Sequence, residues 1–512
     1  MTTAVRRYPE RYVDSVLLLA ATRSMREANG VTWATAVMAT PANLNALAIE
    51  GFADPALNDS TAADLVLVIR ASTQDQADAA LQEGDDALFG ARASSGEQAV
   101  VTFRTIAKAA LALPGADVAI ISVPGPFAAL EAHKAISAGL HVLLFSDNVT
   151  VEEEIALKDH GRAAGRLVMG PGAGTAMLGQ CGLGFANVVR HGRIGIVAAA
   201  GTGAQEVMSL LDQWGEGVSQ VIGVGGRDLS EAVAGRMARL AVQALEQDPN
   251  TELIILVSKP PSRDAARAVV AEALHTPLVA TLVGWPTGTP IEGPAALAST
   301  LEGGASRAME LLGRTPPSNW LQLQQDVANA LKGLSPNQTL VRGLYSGGTL
   351  CYEALTVLQP LIGGVWSNTP LDKELHVPAP AGSHIALDLG EEEYTQGRPH
   401  PMIDPAARLE QLATVADESD VAVILMDIVL GHGSHHDPAS ELAPPLAALA
   451  ARPDAPVIVV YVCGTQGDPQ GFDHQCQAFR DAGCIVAPTG ARAALAAAAI
   501  VKRDPSLVLA EL

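Results

Sequence analysis

Gly192-Arg193-Ile194-Gly195-Ile196-Val197-Ala198-Ala199-Ala200-Gly201-Thr202-Gly203-Ala204-Gln205-Glu206 is the stretch whose reading decides the fold. Its β-branched run, Ile194-Gly195-Ile196-Val197, reads as a buried strand. The strand ends in Gly201-Thr202-Gly203, and a helical pattern follows from Ala204 through Leu211. A strand that turns through glycine into a helix leaves the first N–H groups of that helix pointing at open space. Such an end attracts anions, phosphate above all. Glycine-rich turns of this kind are common in α/β chains, so one copy specifies little.

A second copy gives it weight. Leu340–Glu353 reads Leu-Val-Arg-Gly-Leu-Tyr-Ser-Gly-Gly-Thr-Leu-Cys-Tyr-Glu. Gly201-Thr202 is followed by Glu206, and Gly348-Thr349 by Glu353 at the same offset. Each copy follows a short apolar strand and precedes an amphipathic helix (Val207-Met208-Leu210-Leu211; Ala354-Leu355-Val357-Leu358). This is an internal duplication in which two helix N-termini face one anion, with Gly201, Thr202, Gly203, Ser346, Gly347, Gly348 and Thr349 as its residues. The plainer alternative is two ordinary strand–helix turns in a two-domain protein.

The 512 residues leave room for about three or four domains. The chain is 48% hydrophobic, glycine-rich and poor in aromatics, as parallel α/β proteins often are. A net charge of −22 lacks the basic footprint that nucleic-acid backbones require, so no nucleic-acid partner is expected. The five cysteines form no Cys-x-x-Cys pair, which argues for reduced thiols rather than a zinc site or a disulfide framework. Glu10, Arg11 and Asp14 interrupt any signal-peptide core, and the Ala491–Val501 run is too short to span a bilayer. The expectation is a cytoplasmic protein with no membrane association.

Strands are expected at 36–38, 64–70, 116–123, 139–145 and 167–169, with helices at 74–92, 127–138 and 149–166. Strand, helix and strand across 116–145 make a βαβ unit, and ligands of such sheets lie beyond the strand C-terminal ends. Further strands read at 221–224, 253–258, 277–283, 384–389, 421–427, 456–462 and 485–486. Thr315-Pro316-Pro317-Ser318 and Ser335-Pro336-Asn337 look like a linker.

Several polar clusters compete for chemistry. His432, His435, His436 and Asp437 are the densest, yet their spacing fits no strong metal motif, and no metal is expected. Arg398 and His400 sit in the proline-stiffened loop Gly397–Pro405, where an Arg can hold a carboxylate or phosphate; the alternative is a surface loop leading into a helix. Arg227-Asp228 after Gly225-Gly226 reads either as a site or as a structural ion pair. Lys259 before two prolines faces an anion or solvent. There is no Gly-x-x-x-x-Gly-Lys-Ser/Thr loop for ATP.

Taken together, these motifs resemble the FdrA proteins, relatives of the succinyl-CoA synthetase α subunit joined to part of its β subunit. The likeness covers nearly the whole chain. It rests on Thr40–Asn43, Phe145–Thr150, Met169–Pro171, Gly201–Gly203, Gly225–Ser230, Ser258–Pro261, Ser346–Thr349 and Gly397–Pro405. It implies an α/β protein: a Rossmann-like CoA-binding domain (1–175), a flavodoxin-like ligase domain (176–315), a linker (316–340) and a second flavodoxin-like ligase domain (341–512). In the synthetases two helix N-termini grip the phosphate of a phosphohistidine, and the Gly201 and Gly348 turns match those helices. The catalytic histidine does not carry over, since the segment after Lys259 lacks its glycine-flanked histidine, and there is no ATP-grasp domain.

The resemblance further implies a subunit of an oxamate carbamoyltransferase-type transferase. It would interconvert oxalurate plus phosphate with oxamate plus carbamoyl phosphate, without a tightly bound cofactor and with CoA as an optional ligand. Arg398, His400 and Arg227 are its implied catalytic residues, and Asn43, Asn148 and Lys259 its substrate contacts. Its implied partners are its own copies or other carbamoyltransferase subunits. Gly172-Ala173 and Ala200 depart from the family's usual Asp-Cys and Ser. Two alternatives stand beside this: a CoA-ligase or acyl-transfer subunit that needs a separate ATP-grasp partner, and a non-catalytic scaffold. From the sequence, Gly348→Asp is expected to abolish phosphate binding, read by titration calorimetry, because it puts a carboxylate at a helix N-terminus.

Overall fold

Leu65-Val66-Leu67-Val68-Ile69 offers no polar face, and such a strand must be covered on both sides. The structure is a computed structural model that describes residues 2–89, 102–286, 289–395 and 398–511, apart from 12, 14, 53, 292 and 294. In it this run lies in Leu65–Ala71, the middle strand of an antiparallel sheet between Thr2–Tyr8 and Val31–Met38. Leu65, Leu67 and Ile69 pack with Met25 and Leu81 of the helices Ser15–Glu27 and Gln74–Phe89. Val66 and Val68 pack with Leu47, Phe52 and Leu57 on the opposite face. The sequence after the strand at 36–38 reads as a turn at Thr40–Asn43; in the structure Thr40 caps the helix Pro41–Ile49, so that stretch is a helix start.

Residues 1–102 and 391–400 form one compact unit, and 103–390 with 401–512 form the other. The span 1–175, expected as one parallel-sheet domain, therefore holds two sheets in different units. A central strand buried on both faces carries the same apolar run in either sheet type, and nothing in that run reports the direction of its neighbours. The end of the expected 74–92 helix and the loosened stretch Ser94–Gly96 lie outside the described residues.

The second unit contains three sheets. Val118–Ile121, His141–Leu144 and Val168–Met169 make a small parallel Rossmann-like sheet. A seven-stranded sheet runs in the order Ala296–Ala298, Leu278–Leu282, Leu253–Ser258, His191–Ala198, Val218–Gly223, Thr175–Leu178, Cys181–Gly184; its last two strands are antiparallel additions. A six-stranded parallel sheet follows, with Leu340–Tyr345 between His384–Asp388 and Val421–Val429. The expected linker 316–340 contains the helix Leu321–Ala330, and Leu323 and Val327 are buried in the core shared by the two larger sheets.

That shared core is built around the helix Gly490–Lys502. Every residue from Ala491 to Ile500 is buried, so the Ala-rich run is the centre of the core. Alanine fits there because small side chains let neighbouring helices approach closely. Among the described residues no helix is long and apolar enough to cross a membrane.

The helix Val151–Ala164 starts with a capping box, Thr150 with Glu153, and ends at left-handed Gly165. Its Lys158 is fully buried. Lys158 Nζ donates to Glu154 at 2.6 Å, Asp228 at 2.8 Å and the Val224 carbonyl at 2.9 Å. Asp228 also accepts from the N–H groups of Met237 and Ala238 at the start of the helix Arg236–Gln247. Lys158→Met would leave Glu154 and Asp228 buried without their cation. A stability loss of about 3–5 kcal/mol is expected, read as a lowered urea midpoint.

Candidate functional site at two helix N-termini

Both copies of the strand–glycine–helix motif form as the sequence requires. His191–Ala198 leads into the helix Gly201–Gln213, and Leu340–Tyr345 into the helix Gly348–Ile362. The two helix starts touch. Thr349 N donates to Thr202 Oγ1 at 3.3 Å. A Cβ on Gly203 would lie 2.9 Å from Thr349 Cγ2, and one on Gly347 2.9 Å from Thr202 Cγ2. Glycine at these two positions is what lets the helix starts meet.

The two ends are not equivalent. The Gly201 helix has Ala200 at its N-cap and no side-chain cap. Among the described residues no oxygen accepts from the N–H groups of Gly201, Thr202 or Gly203. At the other end Asp427 accepts from Ser346 N and Gly347 N, both at 2.7 Å, and from Ser346 Oγ at 3.0 Å. Asp427 is buried beside Arg408, with Nη1 3.5 Å from Oδ1. Burial pushes its carboxyl up, against the pull of Arg408 and of the three donors. Burial likewise lowers the Arg408 guanidinium, against the pull of Asp427.

Two more charges border the second end. A Cβ on Gly348 would overlap Asp388 Oδ2 and lie 3.4 Å from Lys259 Nζ. Lys259 Nζ also stands 5.8 Å from the Tyr352 ring centroid. Lys259 is thus a cation next to the paired helix starts. Gly348→Asp would report on this collision as well as on the anion. Gly201 has open space around its Cβ position, the nearest atom being Thr175 Oγ1 at 3.7 Å.

The structure brings together Gly201, Thr202, Gly203, Ser346, Gly347, Gly348, Thr349 and Lys259. The other candidates have the following surroundings. Arg227 Nε donates to Glu154 Oε2 at 2.9 Å and Nη2 to the Val149 carbonyl at 2.7 Å, the structural ion-pair arrangement. Asn148 follows the strand His141–Leu144 in a left-handed conformation (φ 58°) and is exposed. Asn43 belongs to the first unit, where its Nδ2 donates to the Met38 carbonyl at 2.8 Å. Arg398 and His400 also belong to the first unit.

In the histidine cluster, His435 Nε2 lies 3.0 Å from Glu441, and His435 Nδ1 accepts from Asp437 N at 3.1 Å. Asp437 caps the helix Pro438–Ala450. Among the described residues no group of three or more His, Cys, Asp or Glu is placed to hold a metal ion. All five cysteines are free thiols, Cys181 exposed and the rest buried. Sequence reasoning missed Asp388 and Asp427. Their one signal is an acidic residue at the end of an apolar strand, where parallel sheets place their sites.

Comparison with known proteins gives the family. The CoA-ligase family model matches residues 344–500, which hold the Gly348 helix. A second model, the AllF heavy metal-associated domain, matches residues 1–102. That segment contains no cysteine and no histidine, so it lacks thiolate and imidazole donors. The chain is 27% identical to the α subunit of an ADP-forming succinate–CoA ligase from Aquifex aeolicus, covering 46% of this chain and 80% of that one. It is 28% identical to SauD, a subunit of an ADP-forming sulfoacetate–CoA ligase from Bilophila wadsworthia, covering 33% and 60%.

These findings overturn the expected carbamoyltransferase. The model matched over 344–500 and these two relatives are of CoA-ligase type, and neither matched model nor either relative is a carbamoyltransferase. The chain is also 39% identical to YahF of Escherichia coli strain K12 over 96% of both chains. With that likeness end to end, the protein belongs to the family of YahF, an FdrA-type family similar to the succinyl-CoA synthetase α subunit.

Proposed function

We propose that this chain is the phosphate-holding subunit of a carboxylate–CoA ligase-type enzyme that works with a separate ATP-grasp partner. The observation that carries this reading is the contact of two glycine-started helix N-termini, neither with a side-chain cap, with Lys259 beside them. The N–H groups of Gly201, Thr202 and Gly203, the Thr202 hydroxyl and the Lys259 ammonium are the groups proposed to hold phosphate. Asp427 fixes the turn into the second helix through Ser346 N and Gly347 N.

The half-reaction assigned to this chain needs no nucleotide. A phosphate oxygen attacks the thioester carbonyl of an acyl-CoA, and the C–S bond breaks. CoA leaves as the thiolate and takes a proton, and acyl phosphate remains for the ATP-grasp partner to use. The helix N–H groups stabilise charge on the tetrahedral intermediate. Because phosphate itself attacks, the histidine that the synthetases phosphorylate is not required. Asn148, beyond the C-terminal end of the small parallel sheet, is placed on the CoA side. No role in this step is assigned to Asn43, Arg398 and His400 of the first unit, and Arg227 serves the Glu154 ion pair.

The test is phosphate-dependent release of CoA thiol from a panel of acyl-CoA thioesters, with the chain alone and with an ATP-grasp subunit. Release that rises and saturates with phosphate supports the reading; thiol release independent of phosphate sinks it. Gly201→Asp puts a carboxylate into open space at the first helix start. Like charges about 4 Å apart cost about 1–4 kcal/mol, so phosphate affinity should fall about tenfold or more while the melting temperature stays near wild type. Gly348→Ala should instead lower the melting temperature, because Asp388 must move. Gly201→Ala, with the same added methyl and no overlap, should leave stability nearly unchanged.

A further inference from the structure

The duplication places a glutamate at the same offset on each of the two helices, and the proposed reaction uses neither. Glu206 and Glu353 are both fully buried. Each accepts from the start of another helix. Gly490 N donates to Glu206 Oε1 at 3.2 Å, and Leu301 N, which opens the helix Leu301–Leu311, donates to Glu353 Oε1 at 2.5 Å. The second oxygen of each carboxyl, Oε2, is buried and has no hydrogen-bond partner among the described residues. A Cβ on Gly490 would lie 3.0 Å from Glu353 Oε2 and 3.6 Å from Glu206 Oε1. The two carboxyl groups therefore converge beside Gly490, where only glycine leaves room.

Among the described residues no cation pairs with either carboxyl. The Gly490 helix contributes Arg492, but that guanidinium is committed to Glu302, with Nε at 2.9 Å and Nη2 at 2.6 Å from Oε1. Thr489 Oγ1 donates to Glu302 Oε2 at 2.6 Å. The strand Val457–Cys463 faces Glu206 with Tyr461 and Cys463, and Leu340–Tyr345 brings Tyr345 near Glu353. Burial raises Tyr345, Tyr461 and Cys463 well above their ordinary values, so all three stay neutral. Among the described residues no metal-holding cluster includes these glutamates. A proton is the remaining counter-charge.

We propose that Glu206 and Glu353 share one proton, a carboxyl–carboxylate latch that joins the two duplicated halves of the chain. It gives an otherwise orphaned oxygen a partner, and it removes one of two buried charges. Burial, the larger cause, pushes the Glu206 carboxyl up to about 7; burial and then repulsion from Glu206 push Glu353 well above the usual carboxylate range. The sign follows from linkage. Above the ordinary carboxylate value the unfolded chain has released a proton that the folded chain keeps. Stability is therefore greatest in mild acid and falls as pH rises through neutrality.

The test uses the full-length protein, in urea unfolding from about pH 5 to about pH 9, with wild type, Glu206→Gln and Glu353→Gln. A glutamine amide donates permanently to the remaining carboxylate, so neither variant needs the shared proton. In the neutral range the wild-type unfolding constant should rise more steeply than either variant's, by up to about tenfold per pH unit, the equivalent of one proton. Equal slopes in wild type and variants would overturn the latch. If the variants do not fold, infrared difference spectra of wild type supply the readout. A deuterium-sensitive C=O stretch of a protonated carboxylic acid, present in mild acid and lost above neutrality, supports the latch. Its absence in mild acid overturns it.

Discussion

Two helix N-termini in contact set two partial positive charges against each other, and the surroundings of the larger sheets answer that constraint. The glycines at 203 and 347 permit the approach, and Thr202 Oγ1 accepts from Thr349 N across it. Asp427, at the end of the strand beside Leu340–Tyr345, accepts from the N–H groups of Ser346 and Gly347 and so fixes the turn that leads into the second helix. Neither helix start carries a side-chain cap.

Behind the contact, the same two helices converge on the Gly490 helix. Its alanines make a thin, wholly apolar spacer between two sheets, and its own N-terminus supplies the N–H that Glu206 accepts. Arg492 and Glu302 form a second buried ion pair, close to Trp320. Buried polar groups here tie secondary elements together at defined points, while the sheets and alanines supply most of the apolar burial.

Much of the α/β architecture was legible because parallel strands buried on both faces leave long apolar runs, and helices between them leave a 3.6-residue period. The βαβ unit at 118–144 and both glycine turns followed from those patterns alone. The turn at Thr40–Asn43 and the linker at 316–340 did not, because capping residues and prolines mark helix starts as readily as loops. The first unit escaped for a different reason. Its central strand has the composition of a parallel one, and the salt bridge of Arg7 to Asp64, 57 residues away, belongs to tertiary contact.

The candidate site divides along the same line. The sequence by itself determined that the chain is α/β, that it is duplicated, and that each copy ends a strand in glycine before a helix, because these are local patterns of period and chain geometry. Only the tertiary structure decided that the two helix starts touch, that Lys259 joins them while Arg227 does not, and that Asp388 and Asp427 border one end. It alone decided that Glu206 and Glu353 meet with their second oxygens unpartnered. Each of these facts depends on which side chains converge from distant elements, and on how far burial removes them from water, and neither quantity is carried by any local stretch of residues.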